Sequence, residues 1–316
     1  MLGFIGRRFL LMIPTIVGIS IIIFLMVRLM PGDIVDVLLG GDAVATQEQK
    51  DQVREQLGLT GSYPEQYWNW ASGVVTGDFG ESYRNTEPVA DVLSRAVPIT
   101  LELMILALLI ATLIGVPLGV ISAVRRDSVS DYASRVGGLV GISIPSFWLA
   151  TLLLLLTSRV FGWVPPITYV PFFDDPLTNL TQFILPAISI SVFTLAIVMR
   201  MVRATMLEVL SQDYVRTARA KGVQHRLVVY RHALRNALIP VVTIVGFEIG
   251  ILMGGAAIVE IIFGLPGVGY VLLNAIFNRD YPVVQGATLL IAIIFVVSNT
   301  VVDIVYGWLD PRISHG

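Results

Sequence analysis

Few residues in this 316-residue chain are equipped for chemistry. There are no cysteines, which excludes disulfides, thiolate metal sites and cysteine nucleophiles. The three histidines, His225, His232 and His315, make no H-E-x-x-H pair. Only two lysines occur, Lys50 and Lys221, and neither ends a G-x-x-x-x-G-K-[ST] loop, so the chain is not a P-loop ATPase by itself. Gly141-Ile142-Ser143-Ile144-Pro145 approaches G-x-S-x-G but lacks the second glycine. No array of paired acids or histidines offers a proton relay, and the T-V-G-Y-G filter of a potassium channel is absent. The expectation is a chain with no catalytic residue and no metal site. Two features stand out against that background: an acid, Glu248, inside an apolar run, and a long basic stretch from Leu207 to Pro240.

The surroundings of both are built for a bilayer. Apolar residues make up 55% of the chain and charged residues only 14%, against about 25% in soluble domains. Six apolar segments, at 9–30, 98–123, 133–158, 182–203, 237–262 and 284–309, each exceed the roughly 20 residues that cross a bilayer as a helix. This predicts an all-α polytopic membrane protein with six transmembrane helices. The first segment is too long for the core of a cleaved signal and is read as a retained helix. Its stop is expected at Pro31 and Gly32.

Charge sets the expected orientation. Arg7 and Arg8 precede the first segment, Arg125 and Arg126 follow the second, and Arg216, Arg219, Lys221, Arg226, Arg231 and Arg235 follow the fourth. The 31–97 segment instead carries four bases against eleven acids. The positive-inside rule puts both termini and the 204–236 loop in the cytoplasm. Three parts result: 1–30, with the first helix; 31–97, an external acidic segment with short helices; and 98–316, a five-helix core containing the cytoplasmic loop.

Within 31–97, Thr46-Gln47-Glu48-Gln49 is a capping box opening a helix that Gly58 closes, and a second helix is expected from Pro64 to Val75. Its aromatic residues Tyr63, Tyr67, Trp68 and Trp70 suit either an interfacial belt or a docking surface. The second transmembrane helix is expected to begin after Pro98, the third to kink at Pro145, the fourth to start near Pro186 and the sixth near Pro282. Gly115-x-x-x-Gly119 and Gly137-x-x-x-Gly141 allow close packing, as does the spacing-four stripe Gly246, Gly250 and Gly254. Glu248 lies about 200° around the helix from that stripe and, counted from Ala237, about 16 Å deep. An acid facing lipid there costs at least about 3 kcal/mol. It either lines a translocation path or makes a structural hydrogen bond to a neighbouring helix.

The basic stretch reads as two helices, one running to Lys221 and a second from His225, divided at Gly222. A polybasic surface for anionic lipid heads needs only the clustered charge. It does not need Tyr214, Val215, Ala218 and Ala220 interleaved with it. This stretch resembles the "EAA" loop of ABC-importer permeases, E-A-A-x-x-x-G-x9-I-x-L-P. Ala218 and Gly222 match that pattern, while the first Glu, the Ile and the Pro have no counterpart. The wording DYVRTARAKG…RHALRNALIP is similar to the dipeptide/oligopeptide/nickel branch. So are RLMPGD (28–33), GDFGESY (77–83), ITLEL (99–103), GISIPSFW (141–148), FGWVPP (161–166) and RDYPVVQG (279–286). The match covers nearly the whole chain and is closest to the first permease subunit, which carries the large external loop.

That resemblance implies a type I ABC-importer permease fold in a bacterial or archaeal plasma membrane. It implies a second homologous permease subunit, two ATPase subunits that bind ATP and Mg, an external solute-binding protein and membrane lipids as partners, and no nucleic acid. Asp213, Tyr214, Arg216, Thr217, Ala218, Arg219 and Gly222 would form the coupling element that docks on an ATPase subunit. The implied cargo is a di- or oligopeptide. Nickel chelates, glutathione and sugars are alternatives with the same architecture, and a self-sufficient channel or secondary carrier is the alternative of another class.

Overall fold

The architecture comes from a computed structural model that describes residues 2–29, 35, 39 and 46–309. Among these residues the regular elements are helices, with one isolated bridge between Glu81 and Pro88. They are α1 (Leu2–Arg28), α2 (Gln47–Gln56), α3 (Tyr63–Val75), α4 (Val89–Val124), α5 (Val129–Ser143), α6 (Ser146–Phe161), α7 (Pro176–Leu210) and α8 (Asp213–Ala220). Then come α9, in three consecutive pieces (His225–Leu227, the π-helical Val228–Leu234 and Arg235–Ala237), α10 (Ile239–Gly255), α11 (Ala257–Phe263), α12 (Val268–Phe277) and α13 (Tyr281–Leu309). Four helices, α1, α4, α7 and α13, are individually long and apolar enough to cross a membrane, and three bent pairs are so when each is taken together. The chain is a polytopic all-α membrane protein.

All six apolar segments fall in helices, but proline placed several ends wrongly. α4 begins at Val89 and carries Pro98 inside it, and α7 begins at Pro176 and carries Pro186 inside it. Within a packed bundle, neighbours can satisfy the carbonyl that proline frees, so the helix continues. The opposite holds at Pro145. There the third segment does not merely kink; α5 and α6 are separate helices bent by 102°. The stretch 263–283, expected to be a loop, contains α12, which meets α11 at 93°. Pro31 and Gly32 lie outside the described residues.

α4 and α7 form the central pair. A Cβ on Gly115 would sit 3.0 Å from the Leu195 carbonyl, and one on Gly119 would sit 2.7 Å from the Met199 carbonyl. Only glycine allows the two backbones to come so close. α5 packs on the same helix through Gly138 and Gly141; Gly137 faces open space, so the contact is offset by one residue from the expected pair. At 35 residues α7 is about 52 Å long, longer than the roughly 30 Å hydrocarbon core.

Buried apolar residues form three clusters stacked along this pair. One sits at the α3 end, where Val27, Val89, Leu93, Val268, Tyr281 and Val284 meet. The middle one joins Leu103, Phe183, Ile190, Met253 and Val259. The third, at the α8 end, joins Val120, Val198, Val202, Met206, Val229, Ala233 and Val241. α1 lies against α13, with Arg8 paired to Asp303, and is held at its other end by α3. There Phe24 packs on Tyr67 and Trp70, and the hydroxyls of Ser20 and Tyr67 are 2.9 Å apart. Two of the four aromatic residues therefore clamp α1, while Tyr63 and Trp68 are exposed.

Arg203, near the α8 end of α7, turns inward. Its guanidinium grips Asp131 of α5 at 2.7 and 2.9 Å. The Ser122 hydroxyl donates to the same carboxylate at 2.6 Å and the Asp127 amide at 3.0 Å. Asp131 is fully buried, so its charge depends on these donors. Replacing Arg203 with Leu is expected to cost about 3 kcal/mol, because a buried carboxylate loses its counter-charge. Adding Asp131→Asn should recover part of that loss. Thermal unfolding of the purified protein checks both; an unchanged midpoint in Arg203→Leu would contradict the assignment.

Candidate functional site

The basic stretch is a projection rooted on α7. Two residues, Ser211 and Gln212, separate α7 from α8, so any displacement of α8 acts at the base of the central helix. α8 ends as Gly222 requires. Its φ of +76° is left-handed, and the Val223 amide donates back to the Ala218 carbonyl at 3.2 Å, which closes the helix in a Schellman turn. One apolar residue of α8, Val215, is fully buried, and α8 packs on the π-helical part of α9. The Tyr214 hydroxyl adds a second tie, accepting from the Asn236 side-chain amide at 2.9 Å. Thr205 of α7 donates to the Ala237 carbonyl at 3.1 Å, fixing the far end of α9 to the same helix.

The candidate coupling residues sort by face. Asp213, Tyr214, Arg216 and Thr217 are exposed and Ala218 is half-buried. Arg216 lies 3.5 Å from Asp213, a solvent-facing pair that contributes little to stability, and the Thr217 hydroxyl returns to the Asp213 carbonyl. The side chain of Arg219 lies outside the described residues. Among the described residues the polar face of this helix is exposed, while Val215 is its one fully buried side chain.

Glu248 belongs to a different place. It is 4% exposed and accepts from the Thr194 hydroxyl of α7 at 2.9 Å. It also lines a cavity of about 320 Å³ beneath the α5–α6 bend. Ser143, Ile144, Pro145 and Ser146 form the roof, and Ile190, Phe193, Ile251 and Leu252 form the remaining wall. The bend at Pro145 creates this space: a straight helix through 129–161 would not turn away from α10. Glu248 thus has a hydrogen bond on one side and open volume on the other.

The glycine stripe of α10 faces α13. A Cβ on Gly246 would overlap Val302, and one on Gly250 would overlap the ring of Phe295. Gly254 is exposed, with nothing within 4 Å.

Two polar assemblies escaped the sequence reading. Glu260 of α11 is fully buried, accepting from the Thr100 hydroxyl at 2.7 Å and the Tyr270 amide at 2.7 Å; Thr100 in turn accepts from the Val268 amide at 2.8 Å. Together they satisfy the first turn of α12, the amides of which have no partner within the helix. A Cβ on Gly267 would lie 2.5 Å from the Thr100 hydroxyl and overlap the Glu260 carboxylate, so this turn needs glycine. Asp280 performs the second junction, accepting from the Ser82 hydroxyl and the Tyr83 amide, while Arg84 donates to Asn278. The second junction unites two blocks singled out separately in the sequence, GDFGESY and RDYPVVQG, while the first joins the block ITLEL to the glycine turn before α12. Their recurrence as blocks was the available signal; their pairing across nearly 200 positions was not.

Known proteins resemble this sequence along the whole chain. Residues 115–315 match the family described as binding-protein-dependent transport system inner membrane component, and residues 1–104 match its N-terminal component. A putative peptide transport system permease protein of Brucella suis is 41% identical over 303 residues, covering 96% of each chain. The dipeptide transport system permease protein DppB of Escherichia coli is 40% identical over an alignment of 338 residues, covering all of this chain and 99% of the other. DppB of Alkalihalophilus pseudofirmus is 39% identical over 335 residues, with full coverage of both. A polytopic helical core, a basic projection at one end and full-length likeness to these permeases lead to one conclusion: the chain belongs to the family of inner membrane components of binding-protein-dependent transport systems.

Proposed function

We propose that this chain is one of two permease subunits of an ATP-driven importer of di- or oligopeptides. α8 would be the element through which separate ATPase subunits drive it. The observation that carries this reading is the construction of α8: an exposed polar face, an apolar anchor at Val215 and a glycine stop, mounted two residues beyond the central helix. The peptide cargo follows from the names of the relatives.

In this reading both termini and α8 face the cytoplasm, as the clustered bases require. ATP and Mg bind to two partner ATPase subunits, since no phosphate-binding loop occurs here. A second, homologous permease subunit completes the path, an external solute-binding protein delivers cargo at the α3 end, and lipid covers the exposed apolar faces of α1, α4 and α6. Closure of the ATPase pair pushes α8, and α7 carries the movement to the cavity at Glu248. Asp213, Tyr214, Arg216, Thr217, Ala218, Arg219 and Gly222 form the docking element, with Arg216 and Arg219 as its charged contacts. Glu248 lines the path and attracts the ammonium of a peptide.

Proline at 222 cannot adopt a φ of +76°. Gly222→Pro is expected to reduce ATP-driven uptake in the reconstituted complex to background, while the chain still inserts in the membrane. Uptake that survives deletion of 216–222 would contradict the coupling role. Glu248→Gln should slow uptake of a peptide with a free amino terminus by about tenfold, the scale of one charged hydrogen bond. It should leave an N-acetylated peptide unaffected. Equal kinetics for both peptides would assign Glu248 to structure alone.

A further inference from the structure

The Asp131–Arg203 pair stands between α8 and the cavity at Glu248. Arg203 lies about two turns before the end of α7, which α8 follows. Asp131 lies in the first turn of α5, and the last residue of α5, Ser143, is part of the cavity roof. From Asp131 to Ser143 is about 18 Å of helix. Three contacts fasten α5 to α7 along that length. At its start the Arg203 fork holds both oxygens of Asp131, and the Ser122 hydroxyl ties α4 to the same carboxylate. In the middle, a Cβ on Gly138 would lie 2.6 Å from the Met199 methyl. At its end, a Cβ on Gly141 would meet Ala196 at 3.2 Å and Val192 at 3.3 Å. Val192 and Ala196 flank Thr194, the residue that donates to Glu248. The roof is therefore fixed to α7 at the level of the cavity itself.

The opposite wall belongs to another group of helices. α10 carries Glu248, Ile251 and Leu252, and its glycines at 246 and 250 seat it on Val302 and Phe295 of α13. Among the described residues, α5 packs on α4 and α7 and makes no comparable contact with α10. The side-chain hydrogen bond that joins α7 to α10 at this level is Thr194 to Glu248. The two kinds of tie differ in what breaking them costs. Opening the clasp strands a fully buried carboxylate, which is strongly destabilising. Opening the seam gives up one hydroxyl bond beside a cavity, where water can replace it.

We propose that Asp131 and Arg203 are positioning residues for transport. Their clasp makes α5 an arm of α7, so that a push on α8 swings the Ser143–Ser146 roof and Thr194 together, away from Glu248. The cavity opens and closes along the seam between α4, α5 and α7 on one side and α10 and α13 on the other. Only the entry of force at α8 rests on the importer reading; the division into two groups rests on the contacts.

The test uses the reconstituted transporter complex, with cysteine-free partner subunits and pairs of spin labels on this chain. Leu139→Cys with Phe247→Cys spans the seam, and Leu139→Cys with Ile184→Cys lies within one group; all three native side chains are exposed. Trapping the complex with ATP and vanadate is expected to shift the 139–247 distance and to leave the 139–184 distance unchanged. Asp131→Asn combined with Arg203→Gln removes both charges and strands neither. This double variant should hydrolyse ATP within about twofold of the normal rate, yet lose about tenfold in peptide taken up per ATP. The 139–247 shift should disappear in it. If the double variant does not assemble, the two distances in the chain with Asp131 and Arg203 intact decide the matter. Equal shifts in both pairs, no shift between 139 and 247, or a double variant that keeps the shift or a normal uptake per ATP would overturn the proposal. A complex that shows the expected distances and hydrolyses ATP but carries no peptide would contradict the importer reading alone.

Discussion

The close approach of α4 and α7 is the constraint on which the other elements depend. Lipid gives apolar helices no hydrophobic reason to associate, so packing has to hold them together. At Gly119 the two helices come near enough that a Cβ would sit 2.7 Å from the Val202 side chain. α7 thereby becomes a post roughly 52 Å long that α4, α5, α6 and α10 all touch. At one end it leads directly into α8. At the other, Asn179 and Gln182 tie down the irregular 162–175 segment through the Val170 carbonyl and amide.

The buried acids divide by how many donors reach them. Asp131 has an arginine, a hydroxyl and an amide; Glu260 has a hydroxyl and the amides of a helix start; Asp280 has a hydroxyl and an amide. Each of these joins two or more helices or loops, and none borders the cavity beneath the bend. Glu248 differs, with one hydroxyl donor and a cavity in front of it. A polar group placed in an apolar environment needs partners.

Local chemistry was legible in the sequence. The capping box at Thr46 and Gln49 is present as expected, Gly58 and Gly222 adopt left-handed φ values, and Gly115 and Gly119 meet a neighbouring backbone. What depends on distant partners was not. Pro98 and Pro186 looked like helix starts because proline ends helices in water, whereas neighbouring helices keep α4 and α7 continuous around them. α12 is ten residues long, too short to read as a membrane helix, and the groups that cap it come from Thr100 and Glu260. Of the candidate site, α8 was readable because it is one contiguous segment. The space beside Glu248 was not, because its roof is the α5–α6 bend.

The central claim is that α8 transmits force from an ATPase subunit to α7. The chain contains no cysteine, so a single substitution introduces one addressable thiol. Thr217→Cys places it on the exposed face of α8, and Trp68→Cys places it on α3, where the native side chain is 72% exposed. A maleimide–benzophenone reagent, coupled to that thiol and photoactivated in the assembled complex so that it inserts into a neighbouring C–H bond, is predicted to link residue 217 to an ATPase subunit and to leave residue 68 unlinked to it. An ATPase cross-link from residue 68, or none from residue 217, would contradict the account.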